Sequence, residues 1–399
     1  MATTLTSDPR GAYRRLREEW GEVAPVELEP GVNAWLLMGW EEICHVVRRE
    51  PLFSRNPRNW RLWQEKVVAP DSPLGPIMFP RDSAYYNDGV EHYRLRTPID
   101  DGLARIDQRR MRRSVNKMCA DLIASFAARG EADLISEYAA LIPMLAVTDL
   151  FGLDIAEGRK LQRALVAVFG VGEDAQDGNR AFEEIMGRAM QSHMADPQDD
   201  LTTVFLNHPN LRDAGEVAQS MVLMITAGYE TTLTWIAHSL RMMLSDPRFA
   251  GQLGGWRPGV DDALDEVLWR EPPMANMPAR YALRDTEVGG QPIQRGDAII
   301  LGFAAANGDP RIHTSDIYME LGNQSHLAWS AGPHTCPAQI PARIITRGAV
   351  DTVLSLLPGL QMAWSDEDLS PRPSPWTRCP SALPVTFPPR HDMTPPPGQ

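Results

Sequence analysis

The sequence is short of lysine, of paired cysteines and of long apolar runs. Lysine stands only at 66, 117 and 160, so almost all positive charge is arginine. Even so, Lys plus Arg total 39 against 52 Asp plus Glu, a formal net charge of −13. A chain this acidic has no general electrostatic footing on nucleic acid or anionic lipid, which excludes a nucleic acid polymer and a membrane as default partners. Cys44, Cys119, Cys336 and Cys379 form no C-x-x-C pair, and 399 residues need no disulfide framework, so a cytoplasmic location is expected. The richest apolar stretch, Ala139–Leu153, contains Asp149 and falls short of the roughly 18 residues a membrane helix needs. Met1–Trp20 is polar and carries Arg10, Arg14, Arg15 and Arg17, so neither a signal peptide nor an anchor is expected there. G-x-S-x-G, P-loop, H-E-x-x-H and Rossmann glycine signatures are also missing.

What is present is helical period. Apolar residues recur at three- and four-residue intervals over Pro9–Trp20, Trp40–Arg49, Gly89–Arg129, Glu137–Phe151, Ala156–Phe169, Gly178–Met194 and Asp213–Leu244. Strand-like pieces are few: Val32–Met38, Arg280–Leu283, Ala298–Phe303 and Leu383–Phe387, with a turn at Val288-Gly289-Gly290. The expectation is one mainly α domain over residues 1–399 with a small β portion and a frayed tail at Pro389–Gln399. Asn56–Gly89 has little period but five prolines (57, 70, 73, 76 and 80) and large apolar residues. It reads equally as a substrate lid or as a loop packed by its own aromatics.

Three constellations carry chemistry. The run HLAWSAGPHTCPAQIPAR, His326–Arg343, sets one cysteine in a Gly/Pro-rich loop ahead of a helical segment. There the helix N-terminus favours thiolate, a nucleophile or metal ligand. Ala227-Gly228-Tyr229-Glu230-Thr231-Thr232 places a carboxylate beside an alcohol within a long apolar helix. That pair suits proton relay, or the threonines simply bend a core helix. Asp265–Pro273 holds Glu266 among apolar neighbours, where a buried carboxylate needs a partner.

These segments resemble the cytochrome P-450 family. Trp329, Ser330, Gly332, His334 and Cys336 occupy the places of the F-G-x-G-x-H-x-C-x-G haem loop, with Ala338 in place of its last Gly. Ala227–Thr232 resembles A-G-x-[DE]-T-[TS]. Ala304–Pro310 also resembles the stretch before the family's irregular segment. Glu266 fits E-x-x-R, but Trp269 stands in the Arg place and Arg270 is displaced by one, a rotation of about 100° that argues against simple substitution. Arg311 is the only arginine between Arg295 and Arg343, so loss of the family's second arginine is also expected. His92 and Arg96 (H-x-x-x-R), Arg280 on a strand and His334 match groups that reach the haem propionates.

The resemblance implies haem b with Cys336 as its iron ligand, Glu230 and Thr231 as the proton relay, and dioxygen as oxidant. Electrons would come from a separate ferredoxin and ferredoxin reductase. Arg105, Arg109, Arg110, Arg112, Arg113 and Lys117 form either a docking patch for them or a solvated helix face. Trp60, Trp63, Gln64, Met78, Phe79, Met277 and Trp376 are the candidate contacts for a small aromatic substrate, each equally readable as core. The CPAQ-type loop is typical of natural-product pathways, and the chain looks similar to the branch that couples tryptophan-containing cyclodipeptides to one another or to a nucleobase. Regioselective hydroxylation of a polyketide, terpenoid or peptide is the alternative, and a haem carrier without turnover the remote one.

Overall fold

A computed structural model describes residues 8–169, 175–250, 259–314, 322–366 and 369–391. It is mainly α with a small β portion. The helices are α1 (Pro9–Trp20), α2 (Trp40–Val47), α3 (Gly89–Ala104), α4 (Gln108–Phe126), α5 (Leu141–Leu150), α6 (Ile155–Phe169), α7 (Ala175–Ala195), α8 (Ala214–Ser245), α9 (Val260–Arg270) and α10 (Gln339–Leu356), besides shorter turns. The spine is α8, whose 32 residues start where the Asp213 carboxylate accepts from the Glu216 N–H. It packs against α5, α9 and α10, burying Ile225, Tyr229, Leu233 and Ile236.

The period over Gly89–Arg129 divides in two. The Asp107 side chain accepts from the Arg109 and Arg110 N–H groups, which ends one helix and caps the next. The expected helix at Glu137–Phe151 begins instead with a π-turn over Ile135–Ala139 and is regular from Leu141. Arg390 donates to the carbonyls of Ala127 and Leu356, so the chain is tied down that far; the remainder of the expected tail, 392–399, lies outside the described residues.

Strands β1 (Val23–Glu29), β2 (Val32–Leu37), β3 (Phe53–Ser54), β4 (Met277–Ala282) and β5 (Ala298–Leu301) form a sheet in the order β1-β2-β5-β4-β3. The β2–β5 pair is parallel and the other neighbours are antiparallel. Central β5 is buried throughout, hence its uninterrupted AIIL. The expected strand at Leu383–Phe387 is found at Pro384–Thr386, between Glu131–Asp133 and Gln361–Met362. Between two short strands, Gly289 and Gly290 both adopt positive φ, 55° and 78°, which glycine permits without strain.

Candidate active site

Cys336 lies three residues before α10, in a loop folded back on itself. Its N–H donates to the Trp329 carbonyl at 2.9 Å, and the Thr335 N–H to that of Gly332 at 3.1 Å. Gly332, at φ 71°, could not carry a side chain, because a Cβ there would meet the Val47 carbonyl oxygen at 2.5 Å. Ser330 also has positive φ, 60°, a strained conformation for a residue with a Cβ. Burial pushes the Cys336 thiol up, while the Ala338 N–H and the charge of Arg96 pull the other way. A thiolate is stable in such a pocket when a cation is bound to it.

Nearby, α3 and β4 bring a second set of groups together. Arg280, on β4, is 1% exposed, and its Nε and one terminal nitrogen have no partner. His334 stacks on His92 of α3 with ring centroids 3.9 Å apart, and each has an unpartnered buried Nε2. Burial holds both imidazoles below their usual value, His92 at about 4. Arg96 donates to Asp100 at 2.8 Å and, at 3.4 Å, to the Pro333 carbonyl in the cysteine loop. Arg55 lies over the Tyr85 ring and donates to the Pro278 carbonyl beside Arg280. The cradle therefore presents donors without acceptors. Burying Arg280 unpaired is costly, and an incoming carboxylate relieves that cost.

Glu50 and Asp88 are the exceptions, acids 3.3 Å and 3.9 Å from His334 Nε2. Ligand atoms of Glu50, His92 and His334 lie within 4.8 Å of one another, close enough to hold a metal ion. A cation placed there would leave Arg280 unpaired and face like charge from Arg280 and Arg55, whereas an anion pairs with them.

On α8 the Thr231 hydroxyl donates to the Ala227 carbonyl at 2.6 Å and Thr234 to that of Glu230 at 2.8 Å, bonds that divert the local helix ladder. Ala227 is exposed although its neighbours Ile225 and Tyr229 are buried, so this turn borders open space. The Glu230 carboxylate reaches the C-terminal loop: Arg372 donates to it at 2.9 Å and Thr377 at 3.4 Å. Burial pushes Glu230 up, and Arg372 opposes that shift.

The 2-hydroxy-5-methyl-1-naphthoate 7-hydroxylase of Streptomyces carzinostaticus is 27% identical over 95% of each chain. Cytochrome P-450 107B1 of Saccharopolyspora erythraea is 26% identical over 96% of this chain and 95% of its own. The structure of CYP154A1 from Streptomyces coelicolor A3(2) superposes with a TM-score of 0.84 at 26% identity, covering 96% of this chain and 98% of that one. The chain is similar to cytochrome P-450 enzymes over nearly its whole length and shares their fold. It is an oxidoreductase of the monooxygenase type, and the family's cofactor is haem iron. No protein-family model matches the chain.

The residues present fit that group. A soft, partly buried thiol stands in a loop ahead of a helix, and an unpaired buried guanidinium and two imidazoles wait for carboxylates. Were haem bound here, Cys336 would hold the iron and Arg280, His92 and His334 the propionates.

The expectation that Arg270 cannot serve Glu266 is corrected. Residues i and i+4 share a helix face, and Arg270 Nε donates to the Glu266 carboxylate. Arg248 Nη1 donates to the same oxygen at 3.1 Å, and His313 Nε2 stands 3.8 Å from the other. Trp269 instead stacks on His313, with centroids 4.3 Å apart, and donates its indole N–H to the Asn323 carbonyl at 2.8 Å. Arg311 is committed elsewhere, to Asp309 and Glu22.

Trp60, Met78 and Trp376 belong to a buried core beside the sheet, with Trp63 and Phe79 packed on its edge 4.5 Å apart. Gln64 is exposed and donates to the Arg58 carbonyl. Met277 accepts from the Tyr85 hydroxyl. A separate cleft of about 730 Å³ opens among α3, α7 and the start of α8, lined by residues such as Leu95, Phe182, Met186 and Val222. Arg372, Thr377 and Glu50 carried no sequence signal, since their partners are distant in the chain and no motif spacing joins them.

Proposed function

We propose that this P-450 binds haem b through Cys336 and oxidatively couples a tryptophan-containing cyclodipeptide by a C–C or C–N bond. The unpaired Arg280–His92–His334 cradle beside the Cys336 loop carries the haem-thiolate part of this reading. The substrate class rests on the likeness of the chain to the cyclodipeptide-coupling branch, supported by the partly buried Trp63–Phe79 pair that an indole could stack against. Bound haem iron supplies oxygen activation and removal of a hydrogen atom or an electron from the substrate. Glu230 and Thr231 hold and pass protons. The walls around them orient the rings and exclude water, favouring addition of the indole radical to a second ring over addition of oxygen.

Electrons would come from a ferredoxin and its reductase. Arg105, Arg109, Arg110, Arg112, Arg113 and Lys117 are all exposed, at the end of α3 and along α4. Beside them a cavity of about 240 Å³ is lined by Leu103, Ile106, Met111, Pro337, Ile340 and Ile344, so basic charge and apolar surface adjoin the cysteine loop. Charge reversal at Arg109 and Arg112 is expected to slow reduction by an acidic ferredoxin at low salt, with the difference fading as salt rises. An unchanged rate would remove the patch from this account.

Product analysis with ferredoxin, reductase and tryptophan-containing cyclodipeptides tests the reaction. Coupled dimers or nucleobase adducts are expected, and a hydroxylated monomer alone would contradict coupling. That result would favour the second reading, hydroxylation, which the relative from Streptomyces carzinostaticus supports by its name.

A further inference from the structure

Glu50 lies just beyond α2 and carries a carboxylate into the Arg280–His92–His334 cradle. Its Oε1 is buried without a hydrogen-bond partner, 3.3 Å from His334 Nε2 and 4.0 Å from His92 Nδ1. The Gly89 N–H, at the start of α3, donates to its Oε2 at 3.4 Å. Around it Arg280 and both imidazoles hold buried nitrogens that also lack partners. An unsatisfied acid is out of place in a site that awaits carboxylates, unless it carries a proton.

We propose that Glu50 is a further haem-binding residue, which takes up a proton as haem arrives and donates it in a hydrogen bond to a propionate. The proposal rests on the haem-thiolate reading and adds a neutral acid to the arginine and histidines of the cradle.

The groups that face Glu50 come from several elements. Asp88 and Gly89 stand at the start of α3 and His92 one turn along it, with His334 in the cysteine loop and Arg280 on β4. Its chain neighbours Arg48 and Arg49 are exposed. Burial pushes the Glu50 carboxyl up and Asp88 adds to that, while the Gly89 N–H and Arg280 oppose it. Arg280 and Arg55 bring two positive charges to the cradle, since Arg96 is matched by Asp100. Burial and those arginines hold both imidazoles neutral at ordinary pH. Asp88, an ionised Glu50 and two propionates would then set four negative charges against two positive. One proton on Glu50 removes a charge and supplies a donor in the same step. It comes from water as haem enters and returns there as haem leaves, and no other bond is made or broken at Glu50.

Proton counting on haem binding tests this. Haem-free full-length protein and its Glu50→Gln variant are mixed with ferric haem at about pH 7 to 8, with an indicator dye as the readout. Cys336 gives up its proton on ligation in both, so the count is read as a difference. The unmodified protein is expected to take up close to one proton more per haem than the variant. By linkage its haem affinity should fall relative to the variant's as pH rises, by up to about tenfold per unit. Infrared spectra of unmodified protein carrying carbon-labelled glutamate supply a second readout that needs no variant. A protonated-carboxyl band that moves with the label should appear on haem binding, since the propionates carry no label. Equal proton counts, or no labelled band gained with haem, would overturn the proposal. The carbon monoxide spectrum keeps the two ideas apart. Loss of the thiolate signature in the unmodified protein would defeat the haem-thiolate reading, whereas an intact signature with equal proton counts would defeat the role of Glu50 alone.

Discussion

A guanidinium that is 1% exposed, with two donor nitrogens unmet, is expensive to hold, and Arg55 nearby adds like charge. The cost falls on the haem-free protein and is offset when carboxylates arrive. Arg280→Met should therefore act in opposite directions. Thermal melting of the haem-free protein is expected to rise or hold, while haem affinity falls roughly 10- to 100-fold, the worth of a charge-assisted hydrogen bond. Haem titration and transfer to an acceptor protein measure the second effect; equal losses in both would contradict the assignment. At this scale the sequence was most legible where a motif supplies local spacing. Cys336, His334, Glu230 and Thr231 are of that kind, and His92 lies one helical turn from Arg96. Glu50 and Arg372 escaped because their roles exist only through contacts made by folding, 284 and 142 residues from His334 and Glu230.

At the scale of elements, the α9 pairing shows how a motif is replaced without being lost. Glu266 and Arg270 meet across one turn, so Trp269 is released to fill the core against His313, 2% exposed. Returning the family arginine by Trp269→Arg is expected to destabilise by about 3–5 kcal/mol, because a buried indole is lost and a third cation joins Arg248 and Arg270. A rise in the urea midpoint would show that Glu266 still lacks a partner. The cysteine loop offers the converse case. Ser330→Gly should stabilise by roughly 1 kcal/mol by relieving strain at φ 60°, read from the same urea curves. Helical period revealed most of the α elements, since their buried faces recur every turn. It ran through the Asp107 cap because polar residues continue on both sides of it, and it missed β1, where Pro25 and two acids dilute the alternation.

Across the whole molecule, buried histidines set how the fold meets acid. Burial holds His238 at about 3 and His326 at about 4, both below the unfolded value of 6.5. The unfolded chain then binds more protons below that pH, and stability declines as pH drops from about 6.5 toward 4. A second decline belongs to Glu271: burial raises it, but Arg378, His238, Arg241 and Arg10 together bring it to about 2. Its depressed value contributes stability that is lost as pH falls from 4.5 toward 2. Urea midpoints across this range should fall in both windows, and His326→Phe should flatten the upper one. Among the described residues no helix is long and apolar enough to cross a membrane.

The central claim is that Cys336 ligates haem iron as a thiolate within a cradle built for propionates. Its most direct test is the difference spectrum of the reduced, haem-loaded protein with and without carbon monoxide. The account predicts the strongly red-shifted Soret band of thiolate ligation, absent in Cys336→Ala and present in Cys44→Ala, Cys119→Ala and Cys379→Ala. A band at the unshifted position of histidine-ligated haem, or one that survives Cys336→Ala, would contradict it.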